Sequence, residues 1–277
     1  MMLVQQMRRV FGCDVLRSQK GVSLHRLIRH SSSTGSSPVS APSAVDLAFL
    51  HFPATGTGSA TNADNDTPVV FVHGLMGSAV NYRTLCRKPA LSGPRDVFSI
   101  DLRNHGASPH DPDVSLHAMA ADIAAFAQAR GLSRVHIVGH SLGGRAAMAT
   151  AILFPELVHR LIVVDIAPAD YAAAGNEVSK SSFAVLKAMS RMDLVTLSSG
   201  ADGKTGGNRK ALDEALAREG IQDPFVRGFA LQNCLFDGQQ WRWRVGLDEL
   251  IAGYVRVSCV CPSVRACVRA CVRLYCK

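Results

Sequence analysis

An apolar strand that runs into a glycine-flanked serine and then straight into a helix leaves few folds open. Val135–Val138 is such a run, Gly139-His-Ser-Leu-Gly143 is the turn, and Arg145–Phe154 is the helix-prone stretch. This context is that of a nucleophile elbow, which lifts a side-chain hydroxyl, here that of Ser141, clear of the backbone. The flanking glycines permit the strained turn. Gly143, Gly144, Ala146 and Ala147 let the helix lie close on the sheet, and the helix N-terminus directs its dipole at developing negative charge. A Gly-x-Ser-x-Gly match alone arises in on the order of 0.1 chains of this length by chance. The placement carries the weight.

The surrounding pattern repeats the alternation. Val45–Phe52, Pro68–Val72, Val97–Ile100, Val135–Val138 and Leu161–Val164 read as strands. Between them Ala79–Arg87 reads as a helix, and Ser115 caps a second that carries Leu116, Met119, Ile123 and Phe126 on one stripe and stops at Gly131. Continuous Val/Ile strands alternating with helices indicate an α/β fold with a mostly parallel sheet covered on both faces. From Pro168 to about Ala252 no strand is predicted. Ser181–Met192, Arg209–Glu219, Phe225–Phe236 and Asp248–Ala252 read as helices, as expected of a helical cap over the mouth of the sheet. The expected division is 1–44 a leader, 45–168 the core, 169–254 the cap and 255–277 a tail.

His73-Gly-Leu-Met-Gly77 follows the Pro68–Val72 strand. Acyl transfer needs two backbone N–H groups for the tetrahedral oxyanion, each worth about 3 kcal/mol. Leu142, just after the nucleophile, is expected to supply one and Leu75 the other. The serine also needs a histidine base, normally far downstream, yet no histidine follows His159. His159 falls at the far end of the sheet from Ser141. His140 is expected to point elsewhere, and His73 and His105 to hydrogen-bond within loops. Asp165, at a strand end 24 residues past Ser141, stands on a rigid mount from which a carboxylate can orient a base.

The formal net charge is +8, but residues 46–252 carry 19 basic and 21 acidic side chains, so the charge lies in the ends. No basic patch in the body points to nucleic acid. No apolar run approaches the roughly 18 residues that cross a bilayer. The eight cysteines lack the C-x-x-C pairs of a metal site, so no metal is expected. Residues 1–30 hold six Lys/Arg and one acid and lead into the serine-rich Ser31–Ser37, the composition of a mitochondrial transit peptide; a matrix location is expected. Residues 264–273 read Val-Arg-Ala-Cys-Val-Arg-Ala-Cys-Val-Arg, a four-residue period that a tetranucleotide DNA repeat would encode. Residues 255–277 are therefore expected to be an aberrant low-complexity Cys/Arg tail.

Together His73–Ser78, Asp101-Leu-Arg-Asn-His-Gly-Ala-Ser-Pro109, Gly139-His-Ser-Leu-Gly-Gly144 and Val164-Asp-Ile-Ala-Pro168 resemble the α/β-hydrolase superfamily. Within it, Arg103-Asn-His-Gly106 beside Asp165-Ile-Ala-Pro168 is similar to the alpha/beta hydrolase domain-containing protein 11 group and its bacterial esterase relatives. The resemblance covers about residues 45–252. It implies an eight-stranded fold and a mitochondrial serine hydrolase without cofactor, acting on carboxylic esters such as acylglycerols or thioesters. Asp165 matches the catalytic acid of the bacterial relatives and Asp248 that of the animal group. The matching histidine would follow two further strands, which this chain is expected to lack, leaving Leu161–Val164 an exposed edge. Two rival readings follow: a truncated, inactive isoform or gene model, and other chemistry on the same fold, such as acyl transfer or cofactor-free peroxidation.

Overall fold

The computed structural model describes residues 43–56, 66–88, 91, 93, 95–168, 177–198 and 208–254. The expected leader, apart from Ser43 and Ala44, and the expected tail lie outside these residues, as do 169–176 and 199–207 of the expected cap.

Five strands form the main sheet: β1 (Phe49–Phe52), β2 (Val69–Val72), β3 (Val97–Ile100), β4 (Val135–His140) and β5 (Val158–Val164), in the spatial order β1-β3-β2-β4-β5. β1 runs antiparallel to β3, and every other pairing is parallel. Buried along their whole length, β2 and β3 are built from Val-Val-Phe-Val and Val-Phe-Ser-Ile. A 3₁₀ turn (Ala79–Tyr82) and α1 (Arg83–Cys86) take the place of the longer helix expected between β2 and β3. α2 (Leu116–Ala129) follows β3, with the Ser115 hydroxyl accepting from the Ala118 amide, and α3 (Leu142–Leu153) follows β4. The expected stripe Leu116, Met119, Ile123 and Phe126 is buried, and α2 packs on α3.

The chain leaves β2 toward β3 on one side and leaves β4 toward β5 on the other. The point where winding reverses therefore lies between β2 and β4, whose Val72 and Gly139 are partners. In such sheets the crevice opens beyond the carboxyl ends of the strands at this point. His73–Gly77 and the Ser141 turn both emerge there.

The later segment contains α4 (Glu177–Arg191), α5 (Leu194–Ser198), α6 (Arg209–Arg218), α7 (Pro224–Leu231) and α8 (Leu247–Ala252). It also contains two strands that the sequence pattern hides: β6 (Cys234–Phe236) pairs antiparallel with β7 (Trp241–Trp243). Each is only three residues long, too short for an alternation to show. Their turn is made locally, by Asp237 Oδ1 accepting from the Gln239 and Gln240 amides and by Gly238 at φ 100°. The helix expected over Phe225–Phe236 thus ends at Leu231. One buried apolar cluster runs from Val72 and Ile137 in the sheet to Leu186, Leu212, Trp241 and Leu250 in this segment.

Candidate active site

β4 carries the chain to His140, and Ser141 then turns it at φ 49°, ψ −117° before α3 begins at Leu142. A non-glycine residue in this region costs on the order of 1–3 kcal/mol and persists only where its surroundings hold it. Here the Ser141 amide donates to the Val164 carbonyl at 2.9 Å, and its carbonyl accepts from the Arg145 amide at 3.1 Å. The glycines make the close fit possible. A Cβ on Gly143 would strike the carbonyl oxygens of Val72 and His73, and one on Gly139 would strike the Gly143 backbone.

The loop after β2 closes on this turn. The Gly77 amide donates to the Gly74 carbonyl at 2.9 Å. Of the two central residues only Met76 has positive φ, 59°, the signature of a type II turn, which ordinarily places Gly or Asn there. A Cβ on Gly74 would lie 3.2 Å from Ser141 Cβ and 2.9 Å from His140 Nδ1, so only glycine lets the loop backbone lie against the serine. Leu75 is half-buried and Leu142 is buried at the first turn of α3.

Buried side chains behind the loop fix its position. The Leu102 amide donates to His73 Nε2 at 3.1 Å, which leaves Nδ1 as the protonated nitrogen donating to the Gly74 carbonyl at 2.8 Å. Burial pushes the His73 pKa down to about 4 and that of His105 to about 3. The His105 Nδ1 bonds the Arg103 carbonyl at 2.9 Å. Both rings are neutral structural groups, as the loop reading expected. Asp101 ties the loops together, Oδ1 accepting from the Ala79 amide at 2.6 Å and Oδ2 from the Ala107 amide at 2.9 Å. Arg103 is fully buried and holds Asp122 through two bonds, Nε to Oδ2 at 2.6 Å and a terminal nitrogen to Oδ1 at 2.7 Å.

His140 departs from expectation. Its ring lies beside Gly74, with Nε2 3.8 Å from Asp165 Oδ2. Asp165 stands just past β5 at φ 57°, its side chain 85% exposed. Asp248 is exposed in the first turn of α8, whose N-cap is Gly246. It lines a cavity of about 410 Å³ with His110, Met192, Trp243, Val245 and Glu249, among others, whose lining includes neither Ser141 nor Asp165. His159 stacks on His136 at 5.0 Å, at the starts of β5 and β4, the end of the sheet opposite Ser141. Among the described residues no side chain hydrogen-bonds the Ser141 hydroxyl, and no three His, Cys, Asp or Glu side chains converge to hold a metal. Among the same residues no helix is long and apolar enough to cross a membrane.

The alpha/beta hydrolase fold model matches residues 67–195, from the start of β2 into α5. The sn-1-specific diacylglycerol lipase ABHD11 of Mus musculus is 36% identical over 182 residues, 66% of this chain and 56% of that protein. Esterase YbfF of Escherichia coli is 33% identical over 187 residues, 68% of this chain and 66% of that protein. The chain thus spans just over half the length of the mouse relative. A marine microorganism esterase of known structure superposes with a TM-score of 0.67 at 28% identity, over 79% of this chain and 75% of that one. By its matched fold model, its winding and its elbow, the chain has the alpha/beta hydrolase fold and resembles ABHD11.

Proposed function

We propose that the protein is a serine hydrolase that cleaves carboxylic esters or thioesters through an acyl-enzyme on Ser141. The observation that carries this reading is the Ser141 backbone at φ 49°, ψ −117°, with the Gly74 backbone packed against its Cβ. That geometry supports a hydroxyl presented to a carbonyl carbon beside an oxyanion loop. Oγ bonds to the acyl carbon as its proton passes to a histidine base. Asp165 or Asp248 orients that ring, and the carbonyl oxygen gathers charge against the Leu75 and Leu142 amides. Collapse expels the alcohol or thiol, and water then releases the acid. Segment 169–254 acts as a cap over the mouth of the sheet. The name of the mouse relative points to acylglycerols as the ester class. The Arg- and Ser-rich residues 1–37 direct the protein to mitochondria, which a fluorescent fusion of residues 1–44 tests.

A fluorophosphonate probe tests the nucleophile. The parent chain is expected to label and Ser141→Ala to stay blank; a blank parent sinks the reading. Turnover of p-nitrophenyl esters beside alcohol acceptors and peroxide then separates hydrolysis from acyl transfer and peroxidation. A second reading, a catalytically silent chain, is favoured by the Ser141 hydroxyl having no hydrogen-bonded base among the described residues. It predicts the blank parent.

A further inference from the structure

We infer that Asn233 is a positioning residue: its amide holds the Gly74–Gly77 turn in shape, so that the oxyanion loop is set by the docking of the helical segment. The inference rests on the reading of Leu75 as an oxyanion donor.

Asn233 follows α7 and has no exposed surface. Its Nδ2 donates to the Met76 carbonyl at 2.8 Å, across 157 positions of sequence, and lies 3.5 Å from the Ala230 carbonyl. Its backbone is also fixed, the amide donating to Ala230 at 3.0 Å and the carbonyl accepting from the Arg244 amide at 2.8 Å. The side-chain orientation follows from these partners, since two carbonyl oxygens require the NH₂ end. Among the described residues the Oδ1 atom is buried with no hydrogen-bond partner. A buried amide satisfied at one end is a poor device for stability alone, because the unmet acceptor carries a desolvation cost. Its one short bond goes to the turn that faces Ser141.

That turn is the part of the loop most in need of a clamp. Met76 sits in the left-handed region, where a branched or long side chain is disfavoured. The Met76 carbonyl belongs to the same peptide as the Gly77 N–H that closes the turn on the Gly74 carbonyl, so the bond from Asn233 pins that peptide and resists opening of the turn. A neighbouring bridge acts on the other end of the loop: Asn81 Nδ2 donates to Gln232 Oε1 at 3.3 Å, while Asn81 Oδ1 accepts from the Ser78 amide at 2.6 Å. Residues 232 and 233 thus grip both ends of the 76–81 stretch.

The test compares Asn233→Leu and Asn233→Ser with Leu212→Ala, a buried residue of α6 that serves as a control for general loss of stability. Amide hydrogen exchange of residues 73–79 is read in every chain, and fluorophosphonate labelling of Ser141 beside it. Both Asn233 variants are expected to exchange faster in 73–79 than Leu212→Ala at equal thermal midpoint. They are also expected to label about tenfold or more slowly than the parent, as for a misplaced oxyanion donor. Parental exchange in 73–79 in the Asn233 variants, or equally fast exchange in Leu212→Ala, overturns the inference. Loop exchange responds even where no chain labels, so a blank parent with loosened 73–79 keeps the coupling and removes only the hydrolase reading.

Discussion

His73 and His105 lie 5.1 Å apart beneath the loops that flank Ser141, with pKa values that burial holds near 4 and 3. In the unfolded chain each imidazole takes up its proton near pH 6.5. The unfolded state therefore binds more protons as the pH falls from 6.5 toward 4. Stability is full above pH 6.5 and declines below it, by about 1.4 kcal/mol per pH unit for each ring. Urea midpoints are expected to fall between pH 7 and 4, and His105→Asn to flatten the curve; a level parental profile would contradict the assignment. The role of these rings was legible in sequence as loop hydrogen bonding, because they stand beside glycines at strand ends. The tight turn at Ser141 was legible because strand, turn and helix are contiguous. Asn233 was not, since a lone asparagine far from Met76 carries no local signal. The orientation of His140 was also hidden, because alternation along β4 does not survive a turn at positive φ.

At the scale of elements, α3 is seated on β2 through glycine. Gly143→Ala places a methyl against the Val72 and His73 carbonyls, backbone at the end of β2 and the start of its loop. Helix and strand must separate, at a cost of about 1–3 kcal/mol or more. Chemical denaturation is expected to show this loss together with slower labelling of Ser141, since the elbow moves with the helix; an unchanged midpoint counts against the packing argument. Strand and helix identities in the core were readable from composition, because β2, β3 and β4 are buried on both faces and need no alternation. Ends were less so. β5 begins at Val158 rather than Leu161, since main-chain pairing with β4 recruits Val158 and Arg160 regardless of polarity, with His159 at a shift in the register between them. β6 and β7 stayed hidden because three-residue strands are defined by their partner alone.

Over the whole molecule, β5 forms one edge of the sheet among the described residues, seven residues long and half-buried through most of its length. Met148, Ile152, Leu161, Val163 and Ile166 form a small apolar cluster along it, which Leu161 joins to the main core. A long, apolar edge is a template for pairing with another chain. Sedimentation at rising concentration is expected to show self-association of the protein. A monomer that stays monomeric and melts in one cooperative step removes this expectation.

The buried Arg103 has a reach beyond its own loop. Besides Asp122 it bonds Asp111 Oδ1, the Asp113 carbonyl and, at 3.1 Å, the Ser43 carbonyl, while the Val45 amide donates to Asp122 at 2.8 Å. The first described residues are thus stitched to a charge pair that has no access to water. Any maturation cut must fall ahead of Ser43, because trimming past Val45 would strand a guanidinium and a carboxylate each short of a partner. The ionic interior of the fold thus sets the furthest point to which the N-terminus can be trimmed.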